Sequence, residues 1–438
     1  MQRTFVLRYV TLFAISGVVL FGLFSGINLY AKKSDLAYVR GAVATSSTST
    51  VVNTPTPVAV ASGDVTHIAT PTDVRAIYMS QCVVGTPSFR DSLVKFVDDS
   101  KLNSIIIDIK DFSGSISFPS TDPALAPYVS TACGAKDMKA FIQKLHEKGI
   151  YVIGRVTTFQ DPLHAKLHPD WAVQKKGGGV WKNYGGLAFI DVGAKPFWDY
   201  IATLAIVSHD QMGFDEINFD YIRFPSDGPL SEAVFTYDAG KAKQVALEQF
   251  FSYLHDKMTA AGITTSADMF GLVSSSEDDL GIGQVLERAM PYFDYIDPMV
   301  YPSHYNKGFN GYSDVNAHPY DIVHIEMQRA VARAEATTSP YQIIGSHAVQ
   351  IKTIIPATKT ASSTVAIKTV YSKDSYPASK IRPWLQSFDY PVTYTPAMVT
   401  AQIKATTDAG LSSYLVWDAA NKYRSLRSVL GESTTTTQ

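Results

Sequence analysis

The chain has 438 residues, a formal net charge of −2, 46% hydrophobic and 18% charged side chains. That length exceeds one minimal domain and suits a single large barrel with appendages. With no basic excess, a nucleic-acid partner is disfavoured.

Residues 9–31 carry no charged side chain. As a helix they would span about 34 Å, enough to cross a hydrocarbon core of ~30 Å. A cleaved signal peptide would need a small-x-small site just after the run, and the nearest, Ala42-Val43-Ala44, lies well downstream. An uncleaved anchor over 1–33 is therefore the favoured expectation, with a cleaved signal and a secreted product as the rival. Arg3 and Arg8 precede the run and Lys32 and Lys33 follow it, so charge does not set its orientation. A large folded part behind one anchor is expected outside the cytoplasm, in a single-pass membrane protein.

Residues 34–72 form a linker whose stretch 45–72, rich in Ser, Thr, Val, Ala and Pro, predicts a mostly disordered spacer. From residue 74, strand-like and helix-like segments alternate. Strands are predicted over 74–80, 104–111, 151–157, 215–224, 264–270, 295–301, 380–386 and 411–417. Helices are predicted over 90–100, 137–148, 195–211, within 230–261, and over 282–290, 320–336 and 396–409. Gly149 and Gly262 act as helix stops. A polar stretch near 354–380 predicts a long excursion, and 431–438 a disordered tail. Eight strands alternating with helices predict an α/β fold, a (β/α)8 TIM barrel over 73–430. The rival, a doubly wound open sheet, usually carries a Gly-rich turn after its first strand, and none is present.

The fourth strand carries the strongest chemical signal. Side chains alternate faces along a strand. Glu216, Asn218 and Asp220 line one face and Ile217, Phe219 and Tyr221 the other. A buried parallel strand is ordinarily apolar on both faces, so acids on one face indicate a site; a solvated edge strand is the plainer alternative. Other strand ends are polar too, with Asp108 and Lys110, Arg155, Asp268, Tyr301 and His304, Trp384 and Trp417. In such barrels chemistry gathers where strands end. Aromatic faces stack on sugar rings, and glycosidic cleavage needs one acid for the leaving oxygen and one carboxylate to attack or to activate water. Asp220 and Asp268 fit that pair best. Plainer roles compete: Asp108 with Lys110, or Asp220 with Arg223, can be structural ion pairs; Asp268 can cap a loop; His304 can bond a loop; Trp384 and Trp417 can be barrel core. Glu216 reads as a partner and Asp297 as structural. No zinc-hydrolase, serine-elbow or phosphate-loop motif occurs, so neither a metal nor a cofactor is expected. Cys82 and Cys133 are an isolated pair outside the cytoplasm, which suggests one disulfide; two free thiols are the alternative.

The block from Gly213 to Pro225 (GFDEINFDYIRFP), with Ile107-Asp108-Ile109-Lys110-Asp111, Ser266-Ala267-Asp268-Met269-Phe270-Gly271, Ile282-Gly283-Gln284, Met299–Tyr305 and Arg382-Pro383-Trp384-Leu385-Gln386, resembles the bacterial "putative glycosyl hydrolase domain" family over about 74–425. The resemblance implies a TIM-barrel hydrolase acting on carbohydrate. By analogy with alpha-amylase-like hydrolases it implies Asp220 as nucleophile and Asp268 as acid/base, although Asp stands where Glu is usual. The expectation is a membrane-anchored glycoside hydrolase of a cell-envelope polysaccharide. Arg223 would orient Asp220, and Asp108, Lys110, Arg155, Tyr301, His304, Trp384 and Trp417 would bind sugar. A non-catalytic carbohydrate-binding barrel is the alternative, and a metal-dependent sugar deacetylase a weaker one. The sequence carries no signal of oligomeric state.

Overall fold

The computed structural model describes residues 60–62, 65–343, 345–355 and 364–431. Eight parallel strands close into a barrel: β1 (Arg75–Met79), β2 (Ser104–Lys110), β3 (Tyr151–Thr157), β4 (Glu216–Asp220), β5 (Thr264–Phe270), β6 (Tyr295–Met299), β7 (Trp384–Gln386) and β8 (Tyr414–Trp417). Each is followed by a helix: α1 (Pro87–Asp98), α2 (Met138–Glu147), α3 (Lys195–Val207), α4 (Lys243–Ala261), α5 (Leu286–Ala289), α6 (Pro319–Glu335), α7 (Pro396–Asp408) and α8 (Arg424–Leu430). Strand β8 pairs with β1 through Leu415 and Ala76, which removes both sheet edges and rules out the open-sheet rival.

The sequence pattern explains the layers. Met138, Phe141, Ile142 and Leu145 recur at helical spacing, and all four are buried on the inner face of α2. Gly262 ends α4 in the left-handed region at φ 69°. Ile105, Ile107 and Ile109 of β2 join the large core between strands and helices. A smaller cluster, with Ala76, Tyr78, Ile106, Tyr151 and Ile153, fills the barrel interior.

Several boundaries differ from expectation. Strand β4 stops at Asp220, because Tyr221 takes φ 51°, an unfavourable conformation for a bulky residue. Tyr221 therefore leaves the apolar face predicted for it. Strand β7 begins only at Trp384: Pro383 has no N–H to give, and a short 3-10 turn occupies Ala378–Lys380. The polar excursion is in part a sheet, with Ala348–Ile355 antiparallel to Thr364–Ser372 and Thr338–Ser339 as its third strand.

The linker also departs from its prediction. Val60–Ser62 pairs with Val65–His67. The residues that follow dock beneath the barrel, where Ile68 N–H donates to Asp215 Oδ1 at 2.6 Å and Thr70 Oγ1 bonds Tyr151 Oη at 2.9 Å. These buried polar partners hold residues 65–72 against the barrel instead of leaving them a free spacer. The apolar run 9–31 and residues 432–438 lie outside the described residues. Among the described residues no helix is long and apolar enough to cross a membrane.

Candidate active site

The inward face of β4 builds a polar column inside the barrel. At its base Glu216 accepts from Arg382 Nη2 at 2.5 Å and from Ser266 Oγ at 2.6 Å. Arg382 also bonds Asp297 through Nε at 3.0 Å. All three charged groups are sealed from solvent, so this arginine neutralises two buried carboxylates where most barrels place branched aliphatics. One layer up, Asn218 Nδ2 donates to Asp268 Oδ1 at 2.9 Å and to Ser266 Oγ at 3.0 Å.

At the top, Arg155 gathers three acids. Its Nη2 donates to Asp220 Oδ2, its Nη1 to Asp108 Oδ1 at 2.7 Å, and its Nε lies 3.7 Å from Asp268 Oδ2. Because both touch one guanidinium, the facing oxygens of Asp220 and Asp268 lie within about 9 Å of each other, the outer limit used by two-carboxylate glycosidases.

The two acids have unlike surroundings. Asp220, 5% exposed, accepts on Oδ2 from Arg155 and on Oδ1 from the N–H of Tyr221 at 2.5 Å. Asp268 is 1% exposed. Its Oδ1 takes both Asn218 Nδ2 and Trp384 Nε1, the latter at 2.6 Å, and its Oδ2 is left without a hydrogen bond. Burial first, then the neighbouring charges of Asp220 and Asp297, push the Asp268 carboxyl well above the usual range.

Above the acids opens a cleft of about 810 Å³. Tyr301 packs against Trp417 (ring centroids 5.4 Å apart) and Phe388 against Trp417 (4.8 Å), which forms an aromatic wall on the β6–β8 side. His304 stands beside this wall, and burial drops its pKa to about 4. Gly271 lets Tyr305 and Met299 pack close beneath the cleft: a Cβ there would collide with the Tyr305 hydroxyl and the Met299 carbonyl.

The structure brings Asp220, Asp268, Arg155, Arg223, Tyr301, His304, Trp384 and Trp417 to this cleft. Two other candidates do not reach it. Asp108 spends its oxygens on Tyr78 Oη and Arg155 Nη1, and burial lifts it to about 6. Pairing between β2 and β3 shifts between Asp108 and Lys110, and Lys110 turns to a sealed ion pair with Asp161 at 2.9 Å. A third correction concerns Arg223, which donates to the Phe224 carbonyl at 3.0 Å instead of orienting Asp220; Arg155 has that contact. The Asp108–Lys110 and Asp220–Arg223 ion pairs, the plainer alternative for these residues, do not form; both aspartates pair with Arg155 of β3. Sequence reasoning missed Tyr221, Phe270 and Phe388 as cleft residues. Tyr221 follows Asp220 directly and Phe270 stands two residues after Asp268, so both were open to discovery on that ground; Phe388 carries no local signal.

Cys82 and Cys133 form a disulfide that ties the segment after β1 to the one before α2, away from the cleft. Among the described residues no cluster of His, Cys, Asp and Glu is arranged to hold a metal ion.

The family model described as "Putative glycosyl hydrolase domain" matches residues 76–350 and 344–423. Among solved structures the chain is similar to the PgaB (BpsB) glycoside hydrolase domain from Bordetella bronchiseptica, at 12% identity and TM-score 0.53, over 82% of this chain and 99% of that one. It is similar to alpha-L-fucosidase isoenzyme 2 from Paenibacillus thiaminolyticus at 11% identity and TM-score 0.53, over 82% of this chain and 49% of that one. A hypothetical protein from Ruminiclostridium thermocellum is 28% identical over 47% of this chain and 98% of its own, with TM-score 0.40. At 11% and 12% identity the first two likenesses show the barrel alone. No curated protein matches the chain.

Proposed function

The chain belongs to the "Putative glycosyl hydrolase domain" family, and from that premise we propose that it hydrolyses O-glycosidic bonds of an extracytoplasmic polysaccharide with Asp220 and Asp268 as its working carboxyls. The observation that carries this reading is one guanidinium shared by two carboxyls with unlike surroundings. Burial and the charges of Asp220 and Asp297 push the Asp268 pKa up, the direction a general acid needs. Asp220 has a cation and a backbone N–H against its two oxygens, the surroundings an attacking carboxylate needs.

In the first step Asp268 gives its proton to the leaving glycosidic oxygen as Asp220 attacks the anomeric carbon; the C–O bond breaks and a glycosyl ester forms. Esterification removes the negative charge of Asp220, one of the causes holding the Asp268 pKa up. Asp268, now a carboxylate, becomes easier to keep ionised and can take a proton from the water that hydrolyses the ester. The wall of Tyr301, Trp417 and Phe388 would stack the sugar ring. The charge-free run 9–31 supports a tether to the membrane with the barrel outside the cytoplasm; recovery of the full chain in the soluble fraction of lysed cells would count against it.

The test is release of new reducing ends from a panel of polysaccharides by the wild type and by Asp220→Asn. Loss of turnover on the order of 10³-fold or more is expected, with the circular dichroism spectrum unchanged; full turnover by the variant would sink the assignment. The aromatic wall also suits a barrel that grips glycan without cutting it, and binding with no new reducing ends would favour that second reading.

A further inference from the structure

Four basic side chains line the cleft. Arg155 is tied to Asp108 and Asp220. Lys422 and Arg424 are exposed to water, Lys422 on the loop that holds Asp418 and Arg424 at the start of α8. Arg223 differs from all three. It is 4% exposed, yet no carboxylate among the described residues forms an ion pair with it. Asp227, on the same loop, is near enough to feel the Arg223 charge, but it makes no ion pair with Arg223 and accepts from Asn183 Nδ2 at 3.5 Å. The guanidinium lies 4.8 Å from the Tyr221 ring centroid and 4.9 Å from that of Phe270. Two aromatic faces thus fix its position while supplying no full negative charge. Only Nη1 has a hydrogen-bond partner, the Phe224 carbonyl; Nε and Nη2 have none, and neither is sealed from solvent.

A largely buried cation that lines a cleft, with two unbonded N–H groups and no carboxylate in ion-pair contact, offers a seat for an anion. We propose that Arg223 forms a subsite for an anionic substituent on the substrate sugar (a carboxylate, sulfate or phosphate), three residues along the chain from Asp220. This rests on the hydrolase reading and names the substrate class of the same cleft: an acidic polysaccharide. The planar guanidinium, held between two rings, presents two N–H groups side by side, which suits the paired oxygens of such groups better than a single hydroxyl.

The experiment places the full chain on an array of uronate-, sulfate- and phosphate-bearing oligosaccharides beside neutral counterparts of equal length, followed by titration calorimetry on the best pair. The wild type is expected to prefer one anionic class, which identifies the substituent. Arg223→Gln should weaken that binding about 10- to 100-fold and leave the neutral counterpart unchanged; Arg223→Lys should retain part of the preference. Equal binding of anionic and neutral probes by the wild type would overturn the proposal. So would an equal loss on both probes in Arg223→Gln, the mark of a purely structural staple between Tyr221 and Phe270. New reducing ends are scored separately: an acidic oligosaccharide that is bound through Arg223 but left uncut would sustain the anion subsite and sink the hydrolytic mechanism.

Discussion

The indole N–H of Trp384 donates to Oδ1 of Asp268 at 2.6 Å across 116 residues of chain. A donor to a carboxylate favours its charged form. Trp384→Phe should therefore raise the Asp268 pKa further. If Asp268 is the general acid, the alkaline limb of the pH–rate profile moves to higher pH in the variant. A fall in rate with the limb unmoved would reduce Trp384 to packing.

Asp268 should also trade stability for function. Its folded pKa lies above the unfolded value of about 3.9, so the folded chain keeps a proton that the unfolded chain releases. Stability then declines as pH rises from about 4 toward the raised pKa. Asp268→Asn keeps an acceptor for Trp384 and Asn218 and removes the titration. Its melting temperature should exceed that of the wild type at pH 7.5, and the gap should close near pH 4. A variant no more stable at pH 7.5 would contradict this account.

Arg382 holds Glu216 and Asp297 at the barrel base. Arg382→Met leaves two sealed carboxylates facing each other. Urea denaturation should report a loss of about 3–5 kcal/mol, shrinking at acid pH as Asp297, which burial lifts to about 6, takes up a proton. A loss below ~1 kcal/mol would mean that the pair relaxes toward water.

The Cys82–Cys133 bridge spans 51 residues of chain. In the chain-entropy picture its removal costs about 4 kcal/mol. The double variant Cys82→Ser with Cys133→Ser should melt at lower temperature, yet turn over substrate normally at 25 °C, since neither residue lines the cleft. Thiol counting before and after reductant checks the bridge itself.

The barrel was legible because its signals are local. Ile105, Ile107 and Ile109 on one face with Ile106 on the other mark a strand buried on both sides, and Met138 to Leu145 mark one helix face. Alternation along β4 separated Glu216, Asn218 and Asp220 from Ile217 and Phe219 without any knowledge of neighbours. Partner choice was a different matter. Lys110 stands two residues from Asp108, yet a shift in strand pairing sends it to Asp161. Arg223 stands three residues from Asp220, yet the turn at Tyr221 carries it onto two rings, and Arg155 takes the carboxylate from the next strand.

By itself the amino-acid order determined the alternation of strand and helix, the acidic face of one strand, and the concentration of aromatics and carboxyls at strand ends. These follow from periodicity, which each segment carries alone. Only the closed tertiary structure decided which charge meets which. Residues 155, 220 and 268 come together because register and strand order set them on adjoining strands. Packing at that junction then gives chemically identical aspartates different surroundings, since a carboxyl removed from water depends on the nearest cation and N–H groups.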